Sequence, residues 1–377
     1  MTEPPAARRL PIGERWLTLR NRLVASPCFQ RWAAGFPLTR HIARRNTRTL
    51  FDLCAGFVYA QVLTACIRLD LFGKLADGPV TGADLALRLG LAPDKARTLL
   101  LAACSLDLIR ELPGDRFALA DLGAAVTGNP GIAAMVEHHA LLYADLADPV
   151  ALLRGESGPT GLSRYWPYAG GEPVGSEAAA PYGALMGTSQ GMIAQDILDA
   201  CDLSGIRHLM DVGGGEGAFI AAAAARLPNA RLTLFDLPAV AERARLRLDR
   251  AGPGERIVCR GGSFHAGLPE GADAISLVRV LHDHDDGVVQ GLLRAAFAAL
   301  APGGRLIIAE PLAGTPGAEP VGHAYFGFYL LAMGSGRPRT AEELSHMAQA
   351  AGFERVKEHK TRRPLLARVL LAHKSGI

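Results

Sequence analysis

Leu281-His-Asp-His-Asp-Asp286 places two histidines and three acids in five residues. Histidine accepts a proton near neutral pH, so His282 is a candidate general base. The apolar run 273–280 before it reads as a strand. His282 therefore lies just past a strand's C-terminal end, where ligands collect in open α/β sheets. A metal site is disfavoured, because His282 and His284 would need an irregular turn to converge, and no metal ligands are assigned. Asp285 and Asp286 suit the first turn of a helix over 287–300, where acids meet the helix dipole. Glu310 ends the next apolar run, Leu306-Ile-Ile-Ala-Glu310. A carboxylate there can fix the imidazole tautomer and stabilise the imidazolium. A strand-end acid bound to backbone amides is the other reading.

The second chemical cluster is Asp211-Val-Gly-Gly-Gly-Glu-Gly217, between an apolar run, His208–Val212, and an alanine-rich one, Ala218–Leu227. That pattern predicts a strand, a tight glycine turn and a helix start. Leu232-Thr-Leu-Phe-Asp236 reads as another strand, its acid 19 residues after Gly217. An acid there can accept both hydroxyls of a ribose. The turn carries acids at both ends, which repel a pyrophosphate but suit a cofactor with a cationic sulfonium and an amino group. S-adenosylmethionine is such a cofactor. Gly213 and Gly215 would give close backbone approach. Asp211, acting through the turn, and Glu216 would face the amino and sulfonium end. Asp236 would take the ribose, and Leu237 would pack on adenine. Arg279 either lies along the cofactor or is a structural cation.

These residues need elements to hold them. Strands are expected near 208–212, 231–235, 256–259, 273–279 and 305–310, with a closing pair at 354–358 and 366–372. Alternation with helices indicates a doubly wound, mostly parallel seven-stranded sheet. A helix over 322–333 and another over 340–351 interrupt the last strands. Residues 49–130 read as helices at 49–75, 81–89 and 93–109, then a hairpin turning at Pro113-Gly114-Asp115, in winged-helix order. The 93–109 helix has no net basic face, which disfavours nucleic-acid binding and favours dimerisation. Residues 131–204 form a helical bridge over the pocket, with helices at 133–153 and 181–198 around a loop at 155–181.

The chain has 377 residues, 49% of them hydrophobic and 20% charged, with a net charge of +3. Residues 1–48 hold ten arginines and two acids, so a basic arm of net +8 precedes a body of net −5. Large apolar residues are interleaved with those arginines. The mixture suits an anionic membrane surface or a segment packed loosely on the body. No uncharged run reaches the roughly 18 residues of a membrane span; the most apolar candidate is 53–67. Six cysteines without C-x-x-C spacing imply a reducing cytoplasm.

Asp211–Gly217, Asp236-Leu237-Pro238, Val280-Leu-His-Asp283, Ala301-Pro-Gly-Gly304, Glu310-Pro311, Arg339-Thr340 and Ala351-Gly-Phe353 occur in a familiar order. Over about residues 49–377 the chain resembles S-adenosylmethionine-dependent O-methyltransferases of the caffeate and acetylserotonin type. The resemblance implies a Rossmann-like class I methyltransferase domain at 205–377, preceded by a winged-helix dimerisation domain at 49–130, in a homodimer. His282 matches the family's base and Glu310 one of its two flanking acids. The second acid is replaced by Pro338, and Gly262-Ser263-Phe264 stands for the family's Gly-Asp-Phe, so Ser263 or Phe264 would take over the adenine contact. Ser26–Trp32, Phe36–Arg40, Gly131–His139 and Arg164–Tyr168 resemble the hydroxycarotenoid O-methyltransferases of purple photosynthetic bacteria. That implies a tertiary alcohol on a long polyene as substrate, and a cytoplasmic enzyme on the photosynthetic membrane. An apolar pocket wall is expected from His139, Tyr143, Met186, Tyr325, Phe326, Tyr329 and Met333, although such a helical stripe equally suits plain core. A phenol or chlorin substrate, or a non-catalytic cofactor-binding protein, fits the same residues.

Overall fold

The computed structural model describes residues 11–165, 190–252 and 256–376. Met186 and most of the 155–181 loop lie outside the described residues. The chain forms two compact units that divide after Ala124. The bridge therefore belongs with the unit that carries the large sheet and is not a body of its own.

In the first unit the basic arm is helical, at Ile12–Ala25 and Pro27–Gly35. Its last residues open a 29-residue helix, Arg40–Arg68, instead of a helix starting at 49. No helix breaker separates Arg40 from Leu53, so the basic stretch and the apolar stretch share one continuous hydrogen-bond ladder. The helix stops at Asp70, which takes a left-handed φ of 54°, and Leu71–Lys74 makes a short turn beyond it. Among the described residues this is the one helix long and apolar enough to cross a membrane, with a window of mean hydropathy 1.7 that is 11% buried in the chain. Leu50, Phe51, Leu53, Phe57 and Val58 leave its apolar side exposed.

Thr81 caps the Gly82–Leu89 helix by accepting from the Asp84 amide. The Pro93–Ser105 helix ends four residues earlier than the apolar pattern suggests. Asp107 turns left-handed, and Ile109 already belongs to a strand. The wing has three strands: β1 (Val80–Thr81), β2 (Ile109–Leu112) and β3 (Arg116–Leu119), in the order β1-β3-β2. Gly114 and Asp115, with φ of 81° and 52°, make the turn.

The second unit opens with helices Pro130–Asp145 and Pro149–Arg154, where a single helix was expected. Asp148 caps the second one by accepting from the amides of Val150 and Ala151, which breaks the run. A short helix, Gly161–Tyr165, lies where only loop was expected. The sheet follows: β4 (His208–Val212), β5 (Arg231–Asp236), β6 (Ile257–Gly261), β7 (Ala272–Val278), β8 (Leu300–Glu310), β9 (Glu354–His359) and β10 (Arg368–His373). Their order is β6-β5-β4-β7-β8-β10-β9, parallel except for β10, which pairs antiparallel with both β8 and β9.

Side chains alternate along each strand between two cores. Leu209, Leu232, Leu234, Ala274, Ile307 and Val369 enter one. Met210, Val212, Ile275, Leu277, Leu306, Ile308 and Leu370 enter the other. Both faces are covered, as a parallel sheet requires. Each fully buried aliphatic side chain contributes about 1.5–3 kcal/mol. The strand order reverses between β4 and β7. Their C-terminal ends, with that of β8, form the crevice where the chemical residues gather.

Candidate active site

The loop after β7 is a single 3-10 turn, Leu281–Asp283, with all three residues buried. Glu310 comes from the end of β8, the parallel neighbour. Its Oε2 accepts from His282 Nδ1 at 2.6 Å, and its Oε1 accepts from the Val280 and Leu281 amides at 2.9 and 2.7 Å. Both expectations for this acid hold at once, one on each oxygen. An imidazole that donates from Nδ1 keeps a lone pair on Nε2.

Asp283 stands beside that second nitrogen. Its Oδ1 is 3.1 Å from His282 Nε2, without hydrogen-bond geometry, and has no hydrogen-bond partner. Burial pushes the Asp283 carboxyl up to about 6, with the His282 charge opposing the rise. On His282 burial is the largest influence and disfavours the charged ring, but Asp283 and Glu310 together overcome it and raise the pKa above its ordinary 6.5. His284, by contrast, is lowered to about 4 by burial and stays neutral. The sequence reading passed over Asp283. Its position directly after the base in a short turn was the available signal.

A second segment wraps this loop. Arg339 is buried; it donates to the Leu281 and His284 carbonyls at 2.8 Å each and to Asp286 Oδ1 from both Nε and Nη2. Ser335 Oγ donates to the Asp283 carbonyl, and the Gly336 amide donates to Asp285. Gly336 has a φ of 81°, and a Cβ there would collide with the His282 carbonyl and the Asp283 backbone. The segment with Pro338 in place of an acid therefore holds the loop by backbone and guanidinium contacts. The sequence showed Arg339 only as half of a motif, with nothing to place it under His282.

The glycine turn closes between β4 and the Ala218–Arg226 helix. Gly213 has a φ of 69°, donates to the Phe235 carbonyl, and would press a Cβ 2.7 Å from Val280 Cγ2. Gly215 also has a positive φ, of 54°, and faces open space, which leaves room for a ligand against its backbone. Asp236 accepts the Gly215 amide on Oδ2 at 2.8 Å and the Leu237 amide on Oδ1 at 2.7 Å. Each oxygen keeps a further lone pair for a ribose hydroxyl. Burial raises the Asp236 pKa, and those two amides oppose the rise.

Asp211 is fully buried beneath the turn. Its Oδ1 accepts from Ser276 Oγ at 2.7 Å, its Oδ2 has no partner, and burial lifts its pKa to about 7. An unmatched buried carboxylate oxygen under an open glycine turn fits a cationic ligand end. Glu216 instead turns toward the helix after β5, 3.4 Å from Arg243 Nε. The structure thus gives Glu216 an ion-pair partner in place of the free carboxylate expected at the sulfonium.

Ser263 accepts from the His265 amide and caps the short turn Phe264–Ala266. Phe264 packs edge-on to His284 at 5.3 Å. Arg279 has a left-handed φ of 57°, and its buried Nε has no hydrogen-bond partner.

The expected pocket wall divides. Phe326 lies edge-on to the His282 ring, with centroids 5.8 Å apart. Tyr325 packs on Phe326, and its hydroxyl meets His139 Nε2 at 2.8 Å. Tyr329 and Met333 are buried in a core with Leu142, Leu152 and Leu162, and the Tyr329 hydroxyl meets His138 Nε2 at 2.7 Å. Tyr143 is exposed. The π-helical Val321–Phe326 segment runs into Gly327–Met333, and Tyr325 and Phe326 still pack against the core that holds Tyr329 and Met333, with the Tyr325 and Tyr329 ring centroids 6.0 Å apart.

Comparison with known proteins places the chain in a family. Residues 143–354 match an O-methyltransferase domain, and residues 51–128 match an O-methyltransferase dimerisation domain. The dimerisation match begins within the long helix whose apolar side is exposed, and it supports a homodimer. The chain is 45% identical to the demethylspheroidene O-methyltransferase of Cereibacter sphaeroides, over 98% of this chain and 97% of that one. The enzyme of the same name from Rhodobacter capsulatus is 43% identical, over 99% and 93%. The crystal structure of human N-acetylserotonin methyltransferase in complex with SAM shares the fold, with a TM-score of 0.70 at 24% identity over 88% of this chain and 98% of that one. The chain belongs to the O-methyltransferase family.

Proposed function

We propose that this protein is a homodimeric S-adenosylmethionine-dependent methyltransferase that methylates a tertiary hydroxyl of an acyclic hydroxycarotenoid, with His282 as general base. The observation that carries the reading is the buried His282–Glu310 pair at the switch point, beside an open glycine turn. The near full-length likeness to two demethylspheroidene O-methyltransferases supports the substrate class.

Gly213, Gly215, Asp211, Asp236 and Leu237 would hold the cofactor, with Ser263, Phe264 and Arg279 along its length. When bound, it supplies a methyl group made electrophilic by a positive sulfur. The chain's own residues then orient the alcohol and take its proton. A tertiary alcohol is a weak acid, so its proton leaves late and the base matters more than it would for a phenol. His282 Nε2 accepts that proton. Glu310 fixes the tautomer from Nδ1. Asp283 flanks Nε2 and stabilises the imidazolium, taking the role of the acid absent at Pro338. Phe326, Tyr325 and His139 form the apolar side with one polar point. Positioning supplies much of the rate, because a held hydroxyl reacts as an intramolecular group would. A substrate of this kind dissolves in bilayer hydrocarbon, so the enzyme's work lies at a membrane surface.

The test is an assay with labelled S-adenosylmethionine and detergent-dispersed hydroxycarotenoids beside a panel of phenols. Methyl transfer to the carotenoid alcohol is the expected result. Transfer to phenols alone would refute the substrate class, and cofactor binding without any transfer would refute the enzyme.

A further inference from the structure

The helix Ile12–Ala25 buries none of its residues. Ile12, Trp16, Leu19 and Leu23 are 85, 67, 59 and 50% exposed. At 3.6 residues per turn these four positions form one stripe. Arg15 and Arg22 run along one edge of the stripe and Arg20 along the other. Glu14, Thr18 and Asn21 occupy the opposite face, and the exposed Leu17 and Val24 lie between Arg20 and Asn21. None of the three arginines is in an ion pair among the described residues. The next helix, Pro27–Gly35, and its C-cap Phe36 continue the surface: Phe29 lies tilted against Trp32 at 5.5 Å, and Trp32 stacks on Phe36 at 4.9 Å. Trp32 is exposed, and Arg31 lies beside it.

An apolar stripe with arginines along both edges is the arrangement of a helix lying in a lipid interface. Its aliphatic and indole groups enter the headgroup boundary while the arginines reach anionic phosphates. Trp, Phe and Arg are also enriched in protein–protein interfaces, so what favours a lipid surface here is the positive charge, with no acid along either edge of the stripe. The net +8 of residues 1–48 adds the complementary charge. We infer that residues 12–36 are an interfacial anchor that seats the protein on an anionic bilayer through Ile12, Trp16, Leu19 and Leu23, with Arg15, Arg20 and Arg22 on phosphates. The inference deepens the reading of a lipid-like substrate, because the same surface would bring the enzyme to the phase that holds that substrate.

The experiment is co-sedimentation of the full chain with vesicles, either of equal parts phosphatidylglycerol and phosphatidylcholine or of phosphatidylcholine alone. The wild type is expected to bind the anionic vesicles, less at high salt, and to bind the zwitterionic ones weakly. Replacing Trp16, Leu19 and Leu23 together by Ser should weaken partitioning by at least roughly 100-fold. Replacing Arg15, Arg20 and Arg22 by Gln should weaken it roughly 10- to 100-fold on anionic vesicles alone. Turnover on detergent-dispersed substrate should not change in either variant, while turnover on vesicle-embedded substrate falls. Hydrogen exchange on the unaltered protein needs no substitution, and vesicles should protect the amides of residues 12–25.

Vesicle binding unchanged in the Ser variant, or no protection of those amides, would overturn the anchor. A Ser variant that turns from dimer to monomer in sedimentation would give the stripe to a second copy of the chain and overturn it as well. Failure of methyl transfer in detergent would refute the substrate reading and leave the vesicle result standing.

Discussion

Residues 281–286 and residues 12–25 stand at opposite ends of how a protein holds its side chains. In the first segment, backbone and side chains are bound from two directions, by Glu310 below and by Arg339 with Gly336 around it. In the second, no residue is buried. A base, the role proposed for His282, must be held in one tautomer and one place, and this loop is over-determined. A surface that meets a fluid partner needs only its stripe and its charge. The two regions should therefore respond to substitution in opposite ways.

The sharpest break falls on Glu310. In Glu310→Gln the amide can still accept from the Val280 and Leu281 N–H groups, but its NH2 would face His282 Nδ1 and reverse the tautomer. Turnover should drop on the order of 10²- to 10⁴-fold with the fold intact, as stopped assays beside a melting curve would show. An active variant would mean that the contact only braces the loop.

Arg339→Met should act on stability as well as on rate. It leaves the Leu281 and His284 carbonyls without a donor, at about 1–3 kcal/mol for each buried group left unsatisfied, while the half-exposed Asp286 is free to turn to water. Denaturant melts should show that loss. Arg339→Lys, which keeps the charge but not the planar fork, should recover only part of it.

Asp283→Asn sharpens the comparison through pH. The base works only when neutral, so the rate climbs as pH rises through the His282 pKa. That pKa is raised, so the acidic limb of kcat/KM should lie above 6.5. Removing the Asp283 carboxylate takes away one of the two charges that oppose burial, and the limb should move to lower pH. A limb that does not move would assign it to another group.

The smallest effect belongs to the arm. Replacing Trp16, Leu19 and Leu23 by Ser should change unfolding free energy by no more than about 0.5 kcal/mol, because these side chains touch little of the chain. A large loss in a denaturant melt would show that the stripe is packed after all.

The sequence made the sheet and the glycine turn legible because their signals are local. Apolar runs of strand length ended in Asp236 and Glu310, and glycines stood where positive φ is needed. His282 was legible for the same reason, as a histidine a few residues past a strand end. The clamp was not, because Arg339 reaches Leu281 across 58 positions of chain. The ion-pair partner of Glu216 was hidden on the same ground: Arg243 lies 27 residues on, on a helix whose facing could not be read locally. The 325–333 stripe was legible as a packed apolar group, and Tyr325, Phe326, Tyr329 and Met333 do pack together. The long helix was begun too late because its basic first turns look like a linker in composition although nothing in them breaks a helix.

His282, held by Glu310, is proposed to take the proton of a tertiary carotenoid alcohol. The most direct test is methyl transfer to one purified hydroxycarotenoid by the wild type and by His282→Ala, with cofactor affinity measured in both. The account predicts a methyl ether from the wild type, a loss on the order of 10²- to 10⁴-fold in the variant, and equal cofactor affinity. Wild-type turnover in His282→Ala would contradict it.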